Sequence, residues 1–174
     1  MPIEIERKFL LNGDGWRGQV TRSERMAQGY LVGAAALQAG HARASVRVRR
    51  SGVQAWLNIK AARLGIERAE YEVALPPDEA DEMLATLCDG VLEKIRHYIT
   101  LDGMLFEIDE FLGANAGLVV AEIELPTADA CFPRPIWLGR EVSALARYYN
   151  VNLIVHPYAE WSVAERDAAE GESA

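Results

Sequence analysis

The chain has 174 residues, half of them hydrophobic, which is enough for one domain with a sizeable core and too short for two comfortable ones. Its formal net charge of −8 excludes a general nucleic-acid binder and a protein held on acidic membranes, since both partners demand a basic surface. Cys88 and Cys131 form neither a metal-ligand spacing nor a disulfide framework, no basic region with an apolar core opens the chain, and no apolar run approaches the roughly 20 residues of a membrane span, so a soluble, cytoplasmic protein is expected.

The first stretch, Ile3 to Phe9, alternates apolar and charged residues with the period of a strand, so Glu4, Glu6 and Lys8 share one face against Ile3, Ile5 and Phe9. Asn12 to Gly15 is turn chemistry, and Asp14 is placed to cap a short helix running to about Val20. A second strand, Arg25 to Val32, sets Met26, Gln28 and Tyr30 on one side; the Ala- and Gly-rich run from Gly33 to His41 reads as a loop. Arg43 to Arg50 puts Arg43, Ser45, Arg47 and Arg49 together. Ser51 and Gly52 turn the chain into Gln54 to Ala62, where Trp56, Asn58 and Lys60 are aligned. Arg63, Leu64 and Gly65 make the next reversal. It leads to Glu67 to Leu75, with Arg68, Glu70 and Glu72 on one face.

Pro76 and Pro77 end that strand, and Asp78 is a suitable N-cap for an amphipathic helix whose stripe is Ala80, Met83, Leu84, Leu87 and Cys88, closed by Gly90. Strands resume with Leu92 to Leu101, which aligns Lys94 with Arg96. The Asp102-Gly103 hairpin signal then leads into Met104 to Phe111, which aligns Glu107 with Asp109. The eighth strand, Leu118 to Leu125, aligns Glu122 with Glu124. Thr127 to Phe132 and a segment capped by Ser143, carrying Leu145, Tyr148, Tyr149 and Leu153, read as short helices. Residues 1–158 are expected to form one domain, and 159–174 an acidic, frayed tail.

The expected fold is α+β, an eight-stranded antiparallel β-barrel with a few packed helices, because closing the hairpin-linked strands removes exposed edges. Every strand has a greasy face, and on six of them the other face doubles acids or bases at i, i+2. If the apolar faces point outward under the helices, the lumen holds Lys8, Arg47, Arg49, Lys60, Lys94 and Arg96 with Glu4, Glu6, Glu70, Glu72, Glu107, Asp109, Glu122 and Glu124. All three lysines of a chain with 18 basic residues fall in that set. The competing arrangement is an open sheet with these faces in water. Converging charges make a poor core, and they suit a hydrated, multiply charged ligand. Carboxylate pairs are hard donors for Mg²⁺ or Mn²⁺, guanidinium groups fork onto phosphate, and the isolated His41, His97 and His156 offer no zinc site. No Walker loop, dinucleotide fingerprint or nucleophile elbow is present, so phosphate must be held by side chains, and water attack on a phosphoryl group is the natural chemistry.

With these motifs in order, EIERKF, SVRVRR, LNIK, ERAEYE, LEKIR, FEIDEF and VVAEIEL, the chain resembles the CYTH family of triphosphate tunnel metalloenzymes over about residues 3 to 150. The resemblance implies a tunnel that hydrolyses triphosphates with Mg²⁺ or Mn²⁺. It implies metal ligands Glu4, Glu6, Asp109, Glu122 and Glu124, and phosphate ligands Lys8, Arg47, Arg49, Lys60, Lys94 and Arg96. Glu70, Glu72 and Glu107 remain as further tunnel acids. Lys60 with Tyr30, in the QGYL run, resembles the dyad that some members use for proton transfer. The pattern is nearest to the short bacterial inorganic tripolyphosphatases. Where the family often has an acid before Arg147-Tyr148, this chain has Leu145 and Ala146. The alternatives are a class IV-type adenylyl cyclase, a thiamine or nucleoside triphosphatase, and a non-catalytic polyphosphate- or nucleotide-binding module. A small-molecule triphosphate is the expected partner, with no nucleic acid or membrane, and a homodimer stays open.

Overall fold

All eight expected strands form, and they close. The computed structural model describes residues 3–62 and 66–166; the expected reversal at Arg63, Leu64 and Gly65 lies outside the described residues. The strands are β1 (Ile3–Leu11), β2 (Arg22–Val32), β3 (Ala44–Ser51), β4 (Gln54–Ala61), β5 (Glu67–Leu75), β6 (Val91–Leu101), β7 (Met104–Phe111) and β8 (Val119–Glu124). Neighbours run in the order β5-β4-β3-β2-β6-β7-β8-β1, all antiparallel. Pairing of Ile3, Glu4 and Ile5 with Ala69, Arg68 and Glu67 joins β1 back to β5 and seals the barrel. The Asp102-Gly103 turn has φ of 49° and 80° at its two residues, the left-handed pair that a tight hairpin of this hand requires.

A ninth strand, β9 (Leu138–Glu141), was not expected from sequence. It runs along the outer half of β1, where β5 has diverged, pairing Phe9 with Glu141 and Leu11 with Leu138. Its Gly139 lies against β1 so closely that a Cβ there would meet the Leu10 carbonyl oxygen at 2.8 Å. With four residues and no alternation of charge, it carries too little signal to separate from a loop.

The helical expectations are met in part. α2 (Pro77–Thr86) forms where the apolar stripe predicts it, but its N-cap is Pro76 and Asp78 lies in the first turn, because proline pre-sets the first helical position. Its C-cap is Leu87 rather than a residue at Gly90. The run after Gly33 contains α1 (Ala34–Gln38), and Asp14 leads only into a 3-10 turn at Arg17–Gln19. Thr127 to Phe132 is not helical. Ser143 caps nothing: its hydroxyl accepts from the Lys8 N–H at 2.9 Å and donates to Glu141 at 2.7 Å, while the chain beyond it forms a 3-10 turn at Ala146–Tyr148 and then α3 (Asn150–Val155). Trp161 is buried against Tyr148 and Tyr158, so packed structure runs past the expected boundary at 158. Residues 167–174 lie outside the described residues.

The hydrophobic core is therefore outside the barrel wall. Phe9, Phe106, Ile108, Ala121 and Ile123 point outward and are covered by Trp16 and Trp137, each large side chain contributing about 2 kcal/mol on burial. A second cluster closes one end of the lumen. Leu92, Phe111 and Val120 lie on the same strand faces as Lys94, Asp109 and Glu122, and they pack against Tyr148, Leu153 and Trp161 from the C-terminal segment. A charged lumen with an apolar floor results.

Candidate active site

The lumen is a cavity of about 810 Å³, lined on every wall by the charged strand faces. Seven carboxylates face seven cations: Glu4, Glu6, Glu70, Glu72, Glu107, Glu122 and Glu124 against Lys8, Arg47, Arg49, Lys60, Arg68, Lys94 and Arg96. Asp109 is buried beneath this lining against Lys94 and Arg96, and with it the acids exceed the cations by one. The expected closed wall with its charges inside forms, and the competing open sheet in water does not.

Nearest the floor, Lys94 donates to Asp109, and Arg96 donates to both Asp109 oxygens at 2.7 Å. Asp109 is fully buried. Burial and the adjoining Arg96 push the Lys94 ammonium down to about 8, against the opposing pull of Asp109 and Glu122. One layer outward, Glu122 accepts from Lys8 and, at 2.6 Å, from Arg96. Burial would raise the Glu122 carboxyl, but Lys8, Arg96 and Lys94 hold it well below the usual carboxylate range. Lys8 also meets Glu6 at 2.6 Å, and Glu107 pairs with Arg96.

Toward the open mouth the balance changes. Lys60 is bonded to Glu4 at 2.7 Å and to Glu70 at 3.1 Å. Burial and the neighbouring Glu6 nevertheless push Glu4 up to about 7, while Glu6, although buried and beside Glu122, is brought down to about 2 by Lys8 and Lys60. Of the two carboxyls, Glu4 is the more readily protonated. Glu124 has no cation in ion-pair contact among the described residues, and burial with Glu6, Glu107 and Glu70 around it raises its carboxyl. Glu72 meets Arg49 at 2.7 Å, and Asn58 donates to Glu70 and Glu72, tying the acids of β5 together.

Among the described residues no three acidic, histidine or cysteine groups stand preassembled as a metal cluster. The donor chemistry still fits a hard divalent cation. Glu4 and Glu124 are oxygen donors raised by burial and by the neighbouring Glu6 and Glu70, and an added cation beside these carboxyls would relieve that repulsion. Asp109 and Glu122 are engaged by Lys94, Arg96 and Lys8 instead.

The cations separate in the same way. Lys8, Lys60, Lys94 and Arg96 each have a carboxylate at hydrogen-bond distance, whereas Arg47 approaches Glu70 only at 3.8 Å and Arg68 approaches Glu6 only at 3.8 Å. The buried Nε atoms of Arg47, Arg49 and Arg68 have no hydrogen-bond partner among the described residues. Tyr30 lines the same lumen as Lys60, but no hydrogen bond joins the two. Arg68 rests over the Tyr149 ring at 5.0 Å, and the Tyr149 hydroxyl donates to the Ser143 carbonyl at 2.8 Å. Arg68, Gln28 and Ser45 belong to the lining without having been singled out from sequence. Face parity was the available signal: Arg68 precedes Glu70 by two, and Gln28 precedes Tyr30 by two.

A closed antiparallel barrel with an apolar floor and a lumen of opposed acids and bases defines a class, that of side-chain-lined tunnels for small polyanions. The profile of the CYTH domain matches residues 2–158, and the chain belongs to that family. An inorganic triphosphatase from Acetivibrio thermocellus is 42% identical over 159 residues, 91% of this chain and 97% of the relative. One from Nitrosomonas europaea is 35% identical over 153 residues, 84% of this chain and 93% of the relative. Among solved structures, the inorganic triphosphatase NE1496 superposes with a TM-score of 0.61 at 30% identity, covering 89% of this chain and 96% of that one. The PH1012 protein of Pyrococcus horikoshii shares the fold at 22% identity, with a TM-score of 0.54 over 72% of this chain and 80% of that one.

Proposed function

We propose that the protein is an inorganic triphosphatase that hydrolyses tripolyphosphate to diphosphate and phosphate with the help of a divalent cation. The observation that carries this reading is the lumen itself: seven cations and seven carboxylates converge on a cavity too polar for an apolar ligand, with arginine Nε donors still unpaired. The relatives named inorganic triphosphatase support it. Because the acids of the lumen, Asp109 included, already outnumber its cations, a polyanion arriving alone would bring charge that nothing offsets. A bound Mg²⁺ or Mn²⁺ supplies that positive charge and polarises the phosphoryl oxygens.

Glu4, Glu6 and Glu124 would hold the cation, with Glu122 and Asp109 joining only when Lys8 and Lys94 turn to substrate. Arg47 offers phosphate-binding donors without first releasing a strong partner, Arg49 offers its Nε while still paired with Glu72, and Lys8, Lys60, Lys94 and Arg96 exchange carboxylate for phosphate. A proton relay between Lys60 and Tyr30 requires Glu4 and Glu70 to release the Lys60 ammonium to the substrate.

The test is phosphate and diphosphate release from tripolyphosphate, ATP and thiamine triphosphate, with Mg²⁺ or Mn²⁺ and with chelator. Tripolyphosphate as the preferred substrate, and silence in chelator, are expected. Cyclic AMP as the dominant product from ATP, or tight binding of tripolyphosphate without turnover, overturns the reading.

A further inference from the structure

Gln28 is the uncharged exception in the lining. It is fully buried on the inward face of β2, directly across from Arg49 on β3 and from Leu92 on β6. Leu92 belongs to the apolar floor, so the Gln28 amide sits at the deep end of the lumen, with Lys94 opposite Met26 one step away on the same face. Neither Nε2 nor Oε1 has a hydrogen-bond partner among the described residues. An amide left so in an apolar surrounding costs free energy, and a methionine of the same length would fill the space without that cost. Folding therefore gives no account of a glutamine at this position.

The pairing capacity of an amide points to its use. A phosphate accepts hydrogen bonds and, fully ionised, donates none, so it satisfies Nε2 and leaves Oε1 idle. Water beside that phosphate satisfies Oε1. Resting on the triphosphatase reading above, we infer that Gln28 is a further active-site residue: its Nε2 donates to an oxygen of the terminal phosphoryl group at the floor of the lumen, and its Oε1 orients the attacking water. The water oxygen bonds to the terminal phosphorus as the bridging P–O bond breaks. The bond's electron pair leaves on diphosphate, one water proton stays on the released phosphate, and the other passes to solvent. Gln28 itself neither gains nor loses a proton, as an amide must not at neutral pH.

Gln28→Met tests this with opposite expectations for folding and turnover. Thermal unfolding is expected to be unchanged or shifted upward, because an unpaired buried amide has been replaced by an isosteric apolar chain. With tripolyphosphate, kcat is expected to fall about 100-fold, the cost of a misplaced nucleophile, while KM moves by less than about threefold. Gln28→Asn keeps the amide but withdraws it by one methylene, and is expected to fold and lose kcat in the same sense. Full turnover in either variant overturns the inference, as does a raised KM at constant kcat, or a loss of activity that merely tracks a loss of stability. If the wild-type protein hydrolyses no triphosphate, the triphosphatase reading fails first and this inference falls with it; wild-type turnover with active variants removes the role of Gln28 alone.

Discussion

Asp109 separates a structural counter-ion from a metal ligand, and Asp109→Asn measures which it is. The carboxylate is fully buried and accepts from Lys94 and from two nitrogens of Arg96. The amide keeps the shape and one acceptor but removes the charge, taking from Lys94 the carboxylate it pairs with and leaving Arg96 with Glu107 and Glu122. Breaking a buried ion pair from one side costs about 3–5 kcal/mol. For a chain of this length each kcal/mol moves the midpoint by about 2–4 °C, so thermal unfolding without ligand is expected to drop by about 6–20 °C. Adding Lys94→Met should recover most of that loss, since removing both partners of a buried pair is often near neutral. Saturating tripolyphosphate should stabilise Asp109→Asn more than it stabilises the wild type, because a bound anion replaces the missing negative charge. A midpoint within 2 °C of wild type, with activity lost and affinity for the divalent cation reduced, would refute the counter-ion argument and return Asp109 to the metal.

Two further outcomes test the acid and base walls. Glu4 holds a folded-state pKa of about 7 against an ordinary 4.5, so its contribution to stability is full below about 4.5 and is lost as pH rises through 7. Melting curves without metal should show this loss between those values, Glu4→Gln should flatten it, and Mg²⁺ should reverse its sign by favouring the ionised carboxylate. Arg68→Gln removes a guanidinium with an unpaired Nε from the lumen, and KM for tripolyphosphate is expected to rise about tenfold or more with little change in melting temperature; an unchanged KM would assign Arg68 to packing against Tyr149 alone.

The barrel was legible because strand period and charge coincide. Glu4 and Glu6, Arg47 and Arg49, or Glu122 and Glu124 can share a face only in extended chain, and repetition over eight strands left a closed wall as the economical arrangement. Which charges neutralise which was not legible. Arg96 lies across from Asp109 but also reaches Glu122 from β8, and that contact depends on barrel curvature and register rather than on any local pattern. The floor was hidden for a related reason: Leu92, Phe111 and Val120 interrupt the inward charged faces at three distant places, and only the closed barrel brings them to one level. Gln28 was visible as a residue of the inward face, but its lack of partners is a property of packing. β9 was missed because its pairing with β1 is set by the departure of β5 from that strand.

The pairing of β1 with three other strands bears on how the chain folds. β1 precedes all its partners in the chain: it pairs at Ile3–Ile5 with Glu67–Ala69, at Glu6–Leu10 with Val120–Glu124, and at Phe9–Leu11 with residues 138–141. It therefore waits for its neighbours, with a greasy outer face, until β8 and β9 have been synthesised. Hairpins such as β3–β4 and β6–β7 can form early from local contacts, whereas ring closure is the most non-local event in the molecule and sets its folding speed. During that interval Ile3, Ile5 and Phe9 are the segment most open to capture by another chain, and the alternating charges of Glu4, Glu6 and Lys8 act as its gatekeepers against aggregation.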